Sequence, residues 1–362
     1  MVQLVSKGAQ DVYLTDAEKG EFPFKTMYSR YRNFSHAPKK LSFIGQVEPN
    51  GTCIMQLTGL GDLLTGLWME GQAGSDLSVK LKGSKFELYI GGQLIDSQTY
   101  DYMAEIWQAY LPENQAKFQT WNNLASTTND TFFPLHFFFC DNNMFLPLLA
   151  LQYHPAEIRI TWGPNVTSGL ALVPYGNFVF LDTKDREEFT KKPLDILITQ
   201  VQKTIASTPS SIDLSVFNHP VKAMFFGIPL GLPPNPKIGT GFTFRSADIL
   251  INGTYLLEQM SPTYFYTAQV YYRTQNGVVN IDPTATVISP SYTQYFMYSF
   301  ALDASSYRPT GTCNFSRLDN AKMNIDSPVI NSTSMTIPLT VYALNYNVLR
   351  IKQGMAGVLF GN

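Results

Sequence analysis

Charge is scarce in this chain. Only 15% of its 362 residues are Asp, Glu, Lys or Arg, and 26 basic against 28 acidic side chains leave a formal charge of −2. A protein that grips nucleic acid by displacing counterions needs a basic face. No dense Lys/Arg cluster and no basic-aromatic interleaving occurs, so direct nucleic acid binding is not indicated. A surface this poor in charge suggests instead that much of it is buried against other chains. Cysteine is scarce too. Cys53, Cys140 and Cys313 are odd in number and widely spaced, without a C-x-x-C pair, and read as reduced, mostly buried thiols of a cytosolic compartment. Long apolar runs are missing as well: residues 163–181 and 283–302 are uncharged but carry Pro and many Ser, Thr or Asn, which argues against membrane-spanning helices. Residues 1–7 lack the apolar core of a secretory signal, so export is not expected.

The chemistry-bearing patterns are equally thin. Residues 59–66, Gly-Leu-Gly-Asp-Leu-Leu-Thr-Gly, resemble a phosphate loop only superficially. The glycine spacing is wrong for G-x-G-x-x-G and no G-K-[ST] follows, so a turn before a strand is expected. His36, His136, His154 and His219 lack the spacing that puts two ligands on one metal. His154 with Glu157 is the nearest approach and reads as an ordinary strand-end pair, and His136 as a hydrogen-bonded core residue. No G-x-S-x-G elbow is present, and Cys140 follows three phenylalanines, where a thiolate would be poorly solvated. The carboxylate pairs Glu187/Glu188 and Asp182/Asp185 sit in a solvated stretch, where nothing raises a pKa for acid catalysis. No catalytic residue, cofactor site or metal site is therefore assigned. Seven N-x-[ST] sequons, at Asn33, Asn50, Asn129, Asn165, Asn252, Asn314 and Asn331, are attributed mostly to chance in a Ser/Thr-rich chain.

What the chain has in quantity is apolar and aromatic side chains, at 44% and 14%, with 20 Tyr and 25 Phe. That composition leans toward strands. A length of 362 residues is long for one hydrophobic core and natural for two. Two stretches share one hairpin pattern: Glu87 to Ile95 around Gly91-Gly92, and Asp248 to Leu256 around Asn252-Gly253. Gly-Gly and Asn-Gly suit two-residue primed turns, in which both central residues take positive φ and the turn matches the twist of paired strands. A second echo runs from Ala150-Leu151-Gln152-Tyr153 to Ile158-Arg159-Ile160, and from Ala343-Leu344-Asn345-Tyr346 to Leu349-Arg350-Ile351. The turn-to-echo distances, 59 residues from Gly91 to Ala150 and 91 from Asn252 to Ala343, imply a duplicated unit with longer insertions in the second copy.

Short strands are expected at residues 41–44, 53–57 and 63–69. Met103, Ile106, Trp107 and Tyr110 recur at helical spacing before Pro112 and predict a short helix. Residues 132–140 read as a strand buried on both faces, followed by a polar turn and a further apolar segment at 144–151. Met335, Ile337, Leu339, Val341 and Ala343 alternate with Thr336, Pro338, Thr340 and Tyr342, which predicts a strand with one face to a core, near an edge or bulge at Pro338. Residues 182–193 carry eight charges in the eleven positions before Pro193 and mark the expected domain junction; an exposed loop or helical turn inside one domain is the alternative. Residues 227–241 read as a long loop.

Several stretches together resemble one family, the double jelly-roll major capsid proteins of large icosahedral DNA viruses of the phycodnavirus, iridovirus and mimivirus group. They are residues 6–15 (Ser-Lys-Gly-Ala-Gln-Asp-Val-Tyr-Leu-Thr), 24–34, 61–64, 90–96, 146–154, 298–302, 309–320 and 345–351, in family order across nearly the whole chain. The resemblance implies an all-β fold of two consecutive eight-stranded antiparallel jelly rolls with short helices in the connections. The implied parts are a base segment at 1–23, jelly rolls at 24–181 and 194–362, and a charged linker at 182–193. It further implies a homotrimer forming a pseudo-hexagonal capsomer in contact with neighbouring capsomers and minor capsid proteins. The shell would enclose an internal membrane that the chain does not span, and would assemble in the host cytoplasm. Pro155 departs from the usual Glu, and the chain is shorter than many relatives. A minor or vertex shell protein, and a carbohydrate-binding jelly roll on the virion surface, are the alternatives. Gly91, Gly92, Asn252 and Gly253 are the residues to which the sequence assigns a structural role.

Overall fold

The structure is a computed structural model that describes residue 9 and residues 30–71, 77–114, 117, 131–206, 208, 210–228, 242–275, 295–330, 333–334 and 339–361. Residues 1–34 and 35–362 form separate compact units. In the first, the rings of Tyr31 and Phe34 meet edge-on at 6.3 Å. Apart from residue 9, the expected base segment and residues 6–15 of the family signature lie outside the described residues, as do residues 24–29, residues 229–241 of the expected loop, Asn129 and Asn331.

The second unit contains two β-sandwiches in succession. In the first, β1 (Phe34–Lys40), β9 (Leu172–Leu181), β4 (Leu63–Gly71) and β7 (Thr131–Pro134) form one sheet in that order. The facing sheet runs β2 (Phe43–Ile44), β3 (Thr52–Gln56), β8 (Ala156–Thr161), β5 (Lys85–Ile90) and β6 (Gln93–Thr99). In the second sandwich β10 (Leu194–Ile205), β21 (Thr340–Lys352), β12 (Pro220–Gly227) and β16 (Tyr295–Ser299) form one sheet, with β17 (Cys313–Asn314) and β22 (Met355–Val358) added. Its partner runs β11 (Ser211–Asp213), β18 (Ala321–Asp326), β14 (Ser246–Ile251) and β15 (Thr254–Met260), and β13 (Phe242–Thr243), β19 (Val329–Ile330) and β20 (Thr333–Ser334) form a small third sheet. Setting aside the two-residue β2 and the added β17 and β22, each sandwich has eight principal strands in the jelly-roll order.

The duplication extends to register. Ile90 pairs with Gln93 and Ile251 with Thr254, leaving Gly91-Gly92 and Asn252-Gly253 as two-residue turns with φ of +58°, +80°, +49° and +79°. Both hairpins shift register at equivalent points, between Leu88 and Tyr89 and between Ile249 and Leu250, and the second shifts again between Ala247 and Ile249. A second pair of irregularities falls at Thr65 in β4 and Lys222 in β12. Beyond the hairpins, Ala156 of β8 lies opposite Ile90, and Ala321 of β18 opposite Ile251. The strand equivalent to Ile158-Arg159-Ile160 is therefore Met323-Asn324-Ile325, not Leu349-Arg350-Ile351, which belongs to β21 in the other sheet. The turn-to-strand distances become 65 residues (91 to 156) and 69 (252 to 321), so the excess expected in the second copy shrinks to four residues in that interval.

Three further expectations change. Residues 132–140 form only the short strand β7, and Phe138–Cys140 and Leu148–Ala150 are 3₁₀ turns. Pro134 and Pro147 lack the N–H groups a continuing ladder requires. The β21 strand is central and buried on both faces over residues 340–347, not one-faced or at an edge; residues 335–338, with Pro338, are outside the description. The predicted helix exists as a π-helical turn Tyr102–Trp107 running into α-helical Gln108–Tyr110. A twin follows the second hairpin, Tyr264–Ala268 in π form and Gln269–Arg273 in α form.

Residues 183–191 of the charged stretch are an exposed helix between β9 and β10, capped by Asp182, whose carboxylate accepts from Thr183 N–H. The three cysteines are unpaired.

Candidate assembly element: the seam between the sandwiches

A sheet with two buried faces needs two cores to bury them. In β12, Val221, Met224 and Phe226 point into the second sandwich's own core, whereas Ala223 and Phe225 belong to the core of the first. The same alternation divides β16 (Phe296, Tyr298 against Tyr295, Met297) and β21 (Val341, Ala343 against Tyr342, Leu344). A strand of this kind reads as a continuous apolar run, such as Ala223 to Phe226, because neither face meets water.

The first sandwich covers that outer face mainly with its connecting helix. The Tyr102 ring lies 5.9 Å from Tyr342 and the Tyr110 ring 5.7 Å from Phe225. Tyr110 Oη donates to the carbonyl of Tyr295, and Thr99 Oγ1 and Tyr342 Oη share a 2.8 Å hydrogen bond. Beside the helix, edge strand β6 abuts edge strand β10. Asp96, 3% exposed, accepts from Val201 N–H across the seam at 2.9 Å and from Gln98 Nε2 and Ser97 N–H on its own side. Burial pushes its carboxyl up to about 6, against the pull of those N–H donors. Gln200 Nε2 adds a hydrogen bond to the carbonyl of Ile95.

A second buried charge stands at the β12 irregularity. Lys222 is 3% exposed, and its Nζ donates to the carbonyl of Ser306, 5.7 Å from the Tyr346 ring. Desolvation lowers its ammonium to about 8, while the carboxylates of Asp141, Asp303 and Glu113 act the other way. Asp141 is itself raised to about 6 by burial. Burial is the largest cause of each of these shifts.

The four sequence-assigned turn residues take distinct parts, Gly91 against the last hairpin of the second sandwich and Asn252 within the second sandwich itself. Gly91 lies under His154: a Cβ there would come 2.3 Å from His154 Cγ. His154 Nδ1 in turn lies 2.9 Å from the carbonyl oxygen and 3.1 Å from the amide nitrogen of Ala356 in β22, and Tyr153 N–H donates to the carbonyl of Gly354. The first sandwich's turn and the last hairpin of the second are thereby locked through one imidazole. Gly92 is exposed, with nothing within 4 Å of its would-be Cβ. Asn252 accepts through Oδ1 from Asp319 and Asn320 N–H at 3.1 Å each, and Gly253 again stands in open space. The turns are equivalent even in detail: Gly91 N–H donates to Pro155 O and Asn252 N–H to Asn320 O.

The remaining candidates are scattered. His36 is exposed on β1, and His136 stacks on Trp107 at 3.5 Å with burial lowering its imidazole to about 3. His219 is buried with φ +66°. Glu157 pairs with Arg159 and not with His154. The Gly59–Gly66 stretch is a turn leading into β4, with Asp62 accepting from Leu181 N–H and Arg186 Nε. Burial raises the Cys140 thiol to about 12. Among the described residues no group of His, Cys, Asp or Glu could hold a metal ion, and no helix is long and apolar enough to cross a membrane. Sequence reasoning missed the seam's aromatics and Asp96, because cross-strand neighbours on a shared face are set by register and not by local pattern.

Two family profiles match: the large eukaryotic DNA virus major capsid protein over residues 185–357, and the major capsid protein N-terminus over residues 77–182. The chain is 31% identical to the major capsid protein of Pyramimonas orientalis virus, over 100% of this chain and 99% of that one. It is 30% identical to that of Paramecium bursaria Chlorella virus 1, over 99% of each. The quasi-atomic PBCV-1 virus capsid contains a chain superposing with a TM-score of 0.77 at 28% identity, covering 94% of this chain and 100% of that chain. The Faustovirus major capsid protein shares the fold, with a TM-score of 0.68 at 11% identity over 96% and 95% of the two chains. With its paired jelly rolls and full-length matches, the chain belongs to the major capsid protein family of large eukaryotic DNA viruses.

Proposed function

We propose that the chain is the principal shell subunit of its virion, three copies closing into a pseudo-hexagonal capsomer that tiles an icosahedral shell. In this reading, residues 24–181 and 194–362 are the two jelly rolls, 182–193 links them, and 1–23 lies at the capsomer base toward neighbouring capsomers and minor capsid proteins. An internal membrane lies beneath the shell without being spanned by this chain. Assembly takes place in the infected cell's cytoplasm, and the role is structural, without catalysis or cofactor.

The observation that carries the reading is the fused pair of sandwiches built on one register. A trimer of such chains presents six similar corners to a hexagonal lattice while using closed three-fold symmetry. Low charge supports extensive burial between copies. Sedimentation and electron microscopy of purified protein test it. Trimers and six-cornered particles are expected, and a monomer at high concentration sinks the reading. Copy number in purified particles separates a principal subunit from a minor or vertex one.

A further inference from the structure

A run of amide side chains crosses the strand on which both cores rest. Asn345 and Asn347 of β21 are buried in a stretch whose neighbours, Tyr342 to Leu344, Tyr346 and Leu349, are apolar or aromatic. Gln200 and Gln202 of β10 stand half-buried beside them, Gln200 opposite Asn345 and Gln202 opposite Ala343. Residues two apart on a strand share a face, so all four amides lie on one side of the sheet. A buried amide costs stability unless its polar atoms find partners.

The partners form a chain that runs in one direction. Asn218 N–H, just before β12, donates to Gln202 Oε1 at 3.0 Å, and Gln202 Nε2 donates to Asn345 Oδ1 at 3.0 Å. Asn345 Nδ2 donates to Gln200 Oε1 at 3.5 Å, and Asn347 Nδ2 adds a shorter bond to the same oxygen at 2.9 Å. Gln200 Nε2 then donates to the carbonyl of Ile95, on edge strand β6 of the first sandwich. Each amide is oriented by the one before it, since a flipped side chain would set carbonyl against carbonyl. Bonds in such a chain polarise one another, so the last is strengthened by the first.

Gln200 thus has two ends with different tasks. Its carbonyl end reads the register of β21: a slip of two residues in either direction leaves it one Asn in place of two, and a slip of one turns both to the other face. Its NH2 end reads the first sandwich, next to the point where Val201 N–H crosses to Asp96. We propose that this amide relay couples the two closures of the chain: β21 seated in its native register tightens the docking of the first sandwich on β10, and Gln200 is the positioning residue that transmits one to the other. Apolar side chains of similar volume would fill this space without loss of stability. What the amides add is specificity. The inference concerns one chain and holds whatever assembly that chain enters.

Hydrogen exchange of the full chain, resolved to single amides by mass spectrometry, tests the coupling at Ser97 and Val201. Their N–H groups both donate to Asp96 at the seam, and Ser97 belongs to the first sandwich, away from every substitution. Asn345→Val/Asn347→Val removes hydrogen bonds that all lie within the second sandwich. Ser97 and Val201 are expected to exchange about tenfold faster in that variant, the factor one buried hydrogen bond is worth. Gln200→Glu keeps the acceptor for both Asn side chains and loses the N–H for Ile95; it speeds the same two amides and leaves β21 protected. Adding Gln200→Met to the double Asn variant brings no further increase, because the relay is already broken. Gln202→Met, at the far end of the relay, gives the same signature and decides the matter should the double Asn variant fail to fold. Unchanged exchange at Ser97 in the folded Asn variant, in Gln202→Met or in Gln200→Glu overturns the coupling, as does an additive increase on combining Gln200→Met with the Asn substitutions.

Discussion

Replacing Asp96 by Asn isolates the cost of one buried carboxylate at the seam. In the folded chain its pKa is raised from 3.8 to about 6, with burial the largest cause. The sign follows from proton counting: between those two values the folded state holds a proton that the unfolded state has released, so stability falls as pH rises through the interval. At 1.36 kcal/mol per pKa unit, the ionised carboxylate costs the fold about 3 kcal/mol at pH 7.5. Asn keeps an oxygen for the Val201 N–H and carries no charge. Urea unfolding at fixed protein concentration, followed by circular dichroism, compares the two chains from pH 7.5 to pH 4. The variant's stability relative to wild type is highest at pH 7.5, drops by about 1.4 kcal/mol at pH 5 and by about 2.4 kcal/mol at pH 4. Asp141 and Asp101 are also raised by burial, but they are common to both chains and cancel in the difference. Parallel stability curves across this range would refute the reasoning.

The two turns separate steric from conformational cost. Gly253→Ala, with φ +79° and open space around the new methyl, costs about 1–2 kcal/mol from positive φ alone. Gly91→Ala adds displacement of His154 and loss of its Ala356 contact, for a total of about 3–4 kcal/mol; equal urea midpoints for the two variants would contradict the packing described. Tyr110→Phe removes the hydrogen bond to Tyr295 O and lowers stability by about 1 kcal/mol, read from the same titration, with no change counting against the bond. Native protein at pH 8 resists iodoacetamide, because Cys53 is buried and burial raises the Cys140 and Cys313 thiols. Rapid alkylation of Cys140, followed by mass spectrometry, would show that its thiolate is accessible.

What sequence reasoning could reach was whatever local chemistry decides. Gly-Gly and Asn-Gly announce primed turns because positive φ at two successive residues excludes most others, and both occur as such. The false echo between Ala150–Ile160 and Ala343–Ile351 shows the opposite limit. Its residues repeat, but the strands stand in different sheets, whereas the true counterparts Ala-Glu-Ile-Arg-Ile-Thr of β8 and Ala-Lys-Met-Asn-Ile-Asp of β18 share little beyond alternation and register. Register is a relation between distant strands and leaves a faint local trace. The run Phe132 to Phe139 misled for a related reason, since apolarity announces burial but does not distinguish a strand from a 3₁₀ turn. Asp96 was hidden because nothing in Leu94-Ile95-Asp96-Ser97 shows that its carboxylate crosses to Val201.

The place of β21 at the centre of the seam sheet bears on the order in which the molecule is made. β10 pairs with β21, and β12 takes one of its two neighbours from it; β21 follows β10 by more than 130 residues. On the ribosome, where domains fold from the N-terminal side as they emerge, all the strands of the first sandwich are present once β9 is complete. Tyr110, however, waits uncovered until Phe225 and Tyr295 are made, and Tyr102 until Tyr342 arrives. The nascent chain therefore passes through a stage with an apolar face open to solvent, during which early encounters with other chains would compete with its own second half.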